Sequence, residues 1–147
     1  MIKKFFIFST LLSFLVIANQ SLAQDADAIK GKWYNSDEDA QIEIFKEGGK
    51  YYGKIVWLKE PTEKGKPKID KNNSAKSKQN RPIMGLRILN DFQYTGNDTY
   101  ENGTIYDPKN GKNYNCSIRI KNSNTLEVRG FIGISLIGRT VIWNRVE

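Results

Sequence analysis

Apolar and polar residues alternate with a period of two over much of the chain after residue 30, a pattern that predicts β-strands. The clearest run is 41–46, in which Ile42 and Ile44 share one face while Gln41 and Glu43 share the other. Turn-forming residues recur about every ten residues between such runs, a spacing typical of a β-sandwich or a barrel. No stretch in this region has the period of a long amphipathic helix.

The turns between these runs are short and predict antiparallel hairpins. Gly48 and Gly49 supply the positive φ of a tight hairpin, and the run from Asp107 to Gly111 combines Asp, Pro and Gly in turn positions. We therefore predict an all-β, antiparallel, up-and-down barrel of eight or nine strands, because closing the first strand onto the last leaves no unpaired edge. A β-sandwich is the alternative. The predicted strands are 32–35, 41–46, 51–58, 84–89, 92–94, 99–106, 113–120, 126–131 and 139–146.

The first 23 residues have the three parts of a signal peptide. Lys3 and Lys4 precede an uncharged apolar run at 5–18, and the segment ends in Ser21-Leu22-Ala23. A retained membrane anchor is disfavoured because the run is shorter than the roughly 17–25 residues that span a bilayer. We expect cleavage after Ala23 and a periplasmic or secreted mature chain, 24–147, forming one domain with no transmembrane segment.

The mature chain carries its net positive charge in one segment. Residues 59–81 hold eight basic and three acidic residues, an excess of five, which equals that of the whole mature chain. Three prolines and few apolar residues predict a long solvated loop at 60–82. The loop is either a solubilising segment or a contact for an anionic envelope polymer. The candidate polyanion contacts are Lys64, Lys66, Lys68, Lys71, Lys76, Lys78 and Arg81.

The residue types present argue against several classes of function. Nucleic acid is disfavoured as a partner because the basic segment has one arginine and no aromatic residue for base stacking. The chain has no histidine, which removes the usual general base and the commonest metal ligand. The acidic run 37–39 fits a solvated turn better than a calcium loop, and Cys116 fits a small buried residue. We therefore expect no enzyme activity, no metal and no cofactor.

Ligand contacts are predicted from the apolar faces of the strands and from the uncharged run 130–138, which reads GFIGISLIG. This run suits either a core strand or an apolar flap over a ligand. In a closed barrel the first and last strands are neighbours, so Arg145 is expected to stack on Trp33 and to bind nearby carbonyls, with Arg139 as the alternative partner. The candidate ligand-binding residues are Trp33, Ile55, Trp57, Val128, Phe131, Ile134, Leu136, Arg139, Trp143 and Arg145.

Several of these segments together resemble a family of exported bacterial proteins that is labelled as a domain of unknown function. They are Gly31-Lys32-Trp33, 53–58 (GKIVWL), 105–108 (IYDP), the Gly111-Lys112 pair with Tyr114, and the block 126–143. The resemblance covers nearly all of the mature chain and implies a lipocalin-like (calycin) barrel that binds a ligand, with no established substrate.

Two functions stay open at this point. The favoured one is a binding module that holds a small, largely apolar molecule in the barrel. The alternative is an envelope interaction protein with a packed interior, which binds an anionic polymer or partner through its basic loop. The volume inside the barrel separates the two, because an eight-stranded barrel is either filled by side chains or holds one small ligand. The sequence carries no signal for an oligomer.

Overall fold

The computed structural model describes residues 26–134 and 136–147; the predicted signal peptide, 1–23, lies outside them. The ten strands are β1 Gly31–Tyr34, β2 Ala40–Glu47, β3 Lys50–Leu58, β4 Thr62–Glu63, β5 Lys66–Pro67, β6 Arg87–Gly96, β7 Thr99–Asp107, β8 Lys112–Asn122, β9 Thr125–Phe131 and β10 Gly138–Arg145. A short 3₁₀ turn covers Lys76–Lys78. The predicted all-β class is therefore confirmed.

Eight of these strands form one closed antiparallel barrel in the order β1-β10-β9-β8-β7-β6-β3-β2. Closure comes from the pairing of the first strand with the last, in which Trp33 lies opposite Arg145 and Tyr34 opposite Asn144. The barrel prediction is confirmed and the sandwich alternative is wrong. The remaining two strands, β4 and β5, form a separate small hairpin between β3 and β6.

The predicted tight turns form as the residue types demand. Gly48 and Gly49, between β2 and β3, have φ values of 57° and 79°, which residues with a Cβ adopt at a cost. Between β7 and β8, the Asp107 carboxylate accepts a hydrogen bond from the Lys109 backbone N–H at 2.9 Å, and its carbonyl accepts one from Gly111 N–H at 2.8 Å. Short hairpins of this kind explain why sequential strands are neighbours around the barrel.

Large side chains fill one half of the barrel. Trp33, Tyr51, Phe92 and Tyr100 are all at most 2% exposed there. Glycine provides the space: a Cβ at Gly103 would lie only 2.5 Å from the Phe92 ring. This half is packed core.

Two strand predictions need correction because backbone irregularities interrupt the alternation. The separate strands predicted at 84–89 and 92–94 are one strand, β6, which runs through Asp91 at a φ of 64°. On β3, Gln41 pairs with Trp57 while Ile42 pairs with Ile55, so Val56 is an extra residue in a β-bulge. Ile55 and Trp57 were both predicted to contact a ligand, but the bulge moves Trp57 off the inward face that Ile55 occupies, and the Trp57 side chain is 37% exposed.

The segment 60–82 is more structured than the predicted solvated loop. Besides the β4–β5 hairpin, the Asp70 backbone N–H donates to the carbonyl of Arg81 at 2.9 Å, and Ile83 N–H donates to that of Lys68 at 3.0 Å. Most of its side chains are exposed, yet Asp70 is fully buried. The composition of the segment indicates its exposure to solvent, but it does not reveal this one buried polar anchor.

Candidate functional site

The two ends of the barrel differ in how they are covered. At the end where β1 begins and β10 finishes, the residues preceding β1 pack against the filled half of the interior. Trp33 Nε1 donates to the carbonyl of Ile29 at 2.9 Å, and the Tyr100 hydroxyl donates to that of Ala26 at 2.7 Å. The Tyr51 hydroxyl donates to the Asp27 carboxylate at 2.7 Å. We call this the closed end.

Arg145 joins the end of β10 to the residues before β1 at the closed end. Its guanidinium lies 4.0 Å above the centre of the Trp33 ring. It also donates three hydrogen bonds, from Nε to Ser123 O at 2.7 Å and from the two terminal nitrogens to Lys30 O and Ala28 O at 3.0 Å each. The predicted stacking of Arg145 on Trp33 is confirmed, and the three carbonyl contacts make this residue part of the barrel's closure.

The Asp27 carboxylate is held in its charged form by the groups around it. The hydrogen bond from Tyr51, followed by those from Lys30 and Lys46, lowers the pKa of Asp27 to about 2. Burial and this same carboxylate raise the pKa of Tyr51. The segment before β1 is therefore fastened by a charged anchor at neutral pH.

The opposite end opens into a cavity of about 900 Å³. This volume lies within the roughly 300–1,000 Å³ typical of small-molecule sites. Apolar residues from both halves of the sheet form its deep walls: Ala40, Ile42, Ile55, Leu58, Ile88, Ile105, Val128, Val141 and Trp143. Ile69 and Ile83, from the segment between β3 and β6, add to the wall. The barrel is thus packed at one end and hollow at the other.

Charged side chains ring the mouth of this cavity, and most of them pair with one another. Lys109 Nζ lies 2.7 Å from Asp37 and 2.8 Å from Asp39, which links the β7–β8 turn to the β1–β2 turn. Burial alone would raise the pKa of Asp39, but the hydrogen bonds from Lys109 and Asn35 hold it below its ordinary value. These acids therefore serve as partners of Lys109.

Two cations at the mouth have no such partner. Lys59 and Arg139 both line the cavity and are exposed, and within residues 26–134 and 136–147 no carboxylate pairs with either. Arg139 follows the inward alternation of Trp143 and Val141 along β10, so it marks the point where the apolar wall meets the mouth. Five cations and five carboxylates line the cavity in all, so its lining carries no net charge. Asp107 caps its own turn, and within the described residues Lys59 and Arg139 are the lining cations that are not already paired with a carboxylate.

The structure distributes the predicted ligand residues over three places. Ile55, Val128, Arg139 and Trp143 line the cavity. Trp33 and Arg145 lie at the closed end, away from it. Trp57 lies outside the cavity because of the β3 bulge and packs edge-on against Tyr34, and Phe131, Ile134 and Leu136 are not among the lining residues.

The uncharged run 130–138 is neither buried core nor an apolar cover over the cavity. Gly130 lines the cavity, but Ile134 and Leu136 are 60% and 85% exposed. Phe131 fails to line it because it alternates with the inward residues Val128 and Gly130 and so lies on the outer face of β9. The chain then leaves the sheet, so the strand period that predicted these contacts no longer applies.

The predicted polyanion contacts divide into paired and unpaired residues. Lys68 lies 3.6 Å from Glu60 and Lys71 2.8 Å from Glu63, while Arg81 pairs with the buried Asp70 at 2.9 Å. The unpaired ones, within the described part of the chain, are Lys64, Lys66, Lys76 and Lys78, and all four are exposed. Local acids therefore compensate nearly half of the predicted basic surface.

The Asp70 carboxylate was missed by sequence reasoning. It accepts hydrogen bonds from the Tyr106 hydroxyl at 2.6 Å and from Asn73 Nδ2 and Arg81 Nε at 2.9 Å each. Burial and this carboxylate raise the pKa of Tyr106. Because Tyr106 and Ile69 also line the cavity, this network holds the basic segment against the mouth. The only sign of this network in the sequence was Tyr106, next to the Asp107 turn, and Tyr106 lies 36 residues from Asp70.

Other candidate chemistry is accounted for by packing. Cys116 is buried, and burial raises the pKa of its thiol to about 12, so it is not a nucleophile at neutral pH. Within the residues described, no group of three potential ligands is arranged to hold a metal ion. No helix in the same part of the chain is both long and apolar enough to cross a membrane.

Comparison with known proteins agrees with this geometry. A family model described as "Uncharacterized protein conserved in bacteria (DUF2147)" matches residues 31–145, which is most of the chain and the whole barrel. The chain belongs to this family. The resemblance drawn from the sequence motifs is therefore confirmed.

A solved structure shares the fold of this DUF2147 member. It carries the description "Protein HP1028 from the human pathogen Helicobacter pylori belongs to the lipocalin family". The two chains are 28% identical with a TM-score of 0.64, over 74% of this chain and 73% of the other. No curated protein matches the chain significantly. The fold is thus lipocalin-like, a barrel type that forms binding modules.

Proposed function

We propose that this protein is an exported, non-enzymatic binding module that holds a small amphipathic molecule with an apolar tail and an acidic head. The observation that supports it most is the cavity of about 900 Å³ with largely apolar walls at the open end of the barrel. Each buried CH₂ group of a tail contributes about 0.8 kcal/mol. A fatty or isoprenoid chain is the tail that such walls favour, and the signal-like N terminus supports a periplasmic or secreted location.

The two unpaired cations at the mouth support an acidic head. With the tail inside, a carboxylate or phosphate at the opening would bind Lys59 and Arg139. An arginine at the edge of an apolar wall suits this role because its guanidinium binds two oxygens of one acid group. The neutral analogue of the same tail should then bind less tightly.

The test is a titration of delipidated mature protein with a fluorescent fatty acid and with unlabelled acids of increasing length as competitors. We expect Kd to fall about fourfold for each added CH₂ until the cavity is full. The Arg139→Ala variant should weaken the acid at least fivefold while leaving the corresponding alcohol within twofold. A Kd that does not depend on chain length would contradict the proposal.

A cavity-filling variant and a matched control sharpen this test. A Cβ at Gly130 would lie 3.7 Å from Tyr114 Cβ and 3.9 Å from Ile105 Cγ2, both ordinary contacts, so Gly130→Phe should fold and fill the space. It should abolish binding. Trp57→Ala removes an aromatic ring outside the cavity and should leave Kd unchanged. Equal binding by Gly130→Phe and the wild type would refute the cavity as the site.

The alternative function is adhesion to an anionic polymer through the basic segment. The four exposed, unpaired lysines favour it, although salt bridges within the segment compensate Lys68, Lys71 and Arg81. Binding of an acidic polysaccharide that falls steeply with salt and survives the Gly130→Phe change would support this second function.

A further inference from the structure

The connection between β9 and β10 exposes four aliphatic side chains at one point. Ile132, Ile134, Leu136 and Ile137 are 70%, 60%, 85% and 67% exposed; we call them the apolar tip. Single exposed aliphatic residues are normal on a protein surface, but a contiguous group is characteristic of an interaction site. No charged residue interrupts the run 130–138.

The apolar tip is held outward by its own backbone. Ile132 N–H donates to the carbonyl of Ile137 at 3.3 Å, and Ile137 N–H donates to that of Ile134 at 3.1 Å. Gly133 has a φ of 72°, which allows the reversal. These bonds already pair some of the backbone N–H and C=O groups. The tip can therefore enter an apolar medium at a lower free-energy cost than a loop without such bonds. Its four side chains are not among the residues lining the cavity.

The tip stands at the open end of the barrel, the same end as the most basic segment of the chain, which lies across the mouth from it in the strand order. β9 ends and β10 begins at the cavity mouth, where Arg139 follows the tip directly. The basic segment 59–81, with its excess of five positive charges, connects strands at this same end. An apolar group and a basic surface at the same end of a molecule form the pattern by which peripheral proteins bind an anionic lipid surface.

The area favours a bilayer over a second protein molecule. A stable protein interface buries roughly 800 Å² on each partner, which four side chains at one loop end do not supply. Insertion into a lipid interface needs no matching surface, because lipid tails and headgroups rearrange around the inserted side chains. We propose that the apolar tip docks the open end of the barrel onto an anionic bilayer, so that the cavity mouth faces the lipid.

The docking experiment uses the mature chain and lipid vesicles in a flotation assay. We expect the wild type to float at least tenfold more with vesicles of phosphatidylcholine containing phosphatidylglycerol than with phosphatidylcholine alone. The double variant Ile134→Asn/Leu136→Asn should lose at least tenfold in partitioning. The matched control is Ile142→Asn on the outer face of β10, 38% exposed in the wild type, which should stay within twofold of the wild type.

A tryptophan reporter shows whether the tip itself enters the lipid. Leu136→Trp should shift its fluorescence to the blue when anionic vesicles are added, whereas Ile142→Trp should not. Equal partitioning of the tip variant and the wild type, or no blue shift of the Leu136→Trp variant, would overturn the proposal. So would a dimer in sedimentation velocity that the double variant abolishes.

The result is separable from that of the proposed ligand binding. The double variant should bind the fluorescent fatty acid in vesicle-free buffer with the wild-type Kd, because its substitutions lie outside the cavity lining. Gly130→Phe, in turn, should lose the fatty acid and keep its affinity for vesicles. Loss of vesicle affinity in Gly130→Phe, with normal affinity in the tip variant, would refute the docking role.

Discussion

Replacing Arg145 by alanine tests whether the closed end depends on one side chain. The change removes the guanidinium stacked 4.0 Å from the Trp33 ring and three hydrogen bonds to carbonyl oxygens. A stacked cation contributes about 0.5–1 kcal/mol at a partly exposed site. A hydrogen bond contributes about 0.5–1.5 kcal/mol, and values near the lower end apply because Arg145 is only half-buried. The expected loss is about 2 kcal/mol.

Urea unfolding followed by tryptophan fluorescence measures this loss directly. With the denaturant slope unchanged, the midpoint should fall by the loss divided by that slope, and Tm should drop on the order of 10 °C. Arg139→Ala is the matched control, since Arg139 lies on the same strand at the open end and has no carboxylate partner within the described residues. It should change stability by less than about 0.5 kcal/mol.

A second variant tests the same contact from the other side. A Cβ on Gly31 would lie 2.6 Å from a terminal nitrogen of Arg145, and Gly31 has a φ of 129°. Gly31→Ala should therefore destabilise the wild type and cost less in the Arg145→Ala background, where the nitrogen is absent. An Arg145→Ala protein within 0.5 kcal/mol of the wild type, or strictly additive effects of the two changes, would refute the closure role of Arg145.

Two further predictions concern the anchors of the chain segments. The folded pKa of Asp27 lies at about 2, below its ordinary value of 3.8, so the unfolded chain binds more protons in that range. Its contribution to the free energy of unfolding should therefore be present above pH 4 and lost as pH falls towards 2. In urea unfolding measured over this pH range, Asp27→Asn should lose less stability than the wild type. The same loss of stability in both proteins would contradict the role of Asp27. Asp70→Ala should cost about 2 kcal/mol by leaving Arg81, Tyr106 and Asn73 without their shared acceptor. Asp70→Ala should also speed trypsin cleavage within 60–82. The control is Glu63→Ala, which removes an exposed partner of Lys71 and should leave the cleavage rate within twofold of the wild type. Equal cleavage rates of Asp70→Ala and the wild type would refute the role of Asp70 as an anchor.

Much of the architecture follows from local pattern. Strand alternation such as that of Ile42 and Ile44, and turns such as 107–111, predicted a meander whose ends meet, and the closure by Trp33 and Arg145 followed from that topology. These signals work because a strand's facing residues and a turn's φ values depend on residues close in sequence. The resemblance to the DUF2147 family was visible for the same reason.

The site itself required the tertiary structure. The bulge at Val56 turns Trp57 out of the interior, and no pattern of residues within 51–58 predicts this bulge. The burial of Asp70 depends on Tyr106, which is distant in sequence. The cavity exists because the large side chains of Tyr51, Phe92 and Tyr100 fill only the closed end, while the walls of the open end are mostly aliphatic. The period of a strand determines which face of the sheet a residue lies on. Which residues of other strands it contacts, and whether it lies in the packed or the hollow part of the barrel, is decided only when the sheet closes.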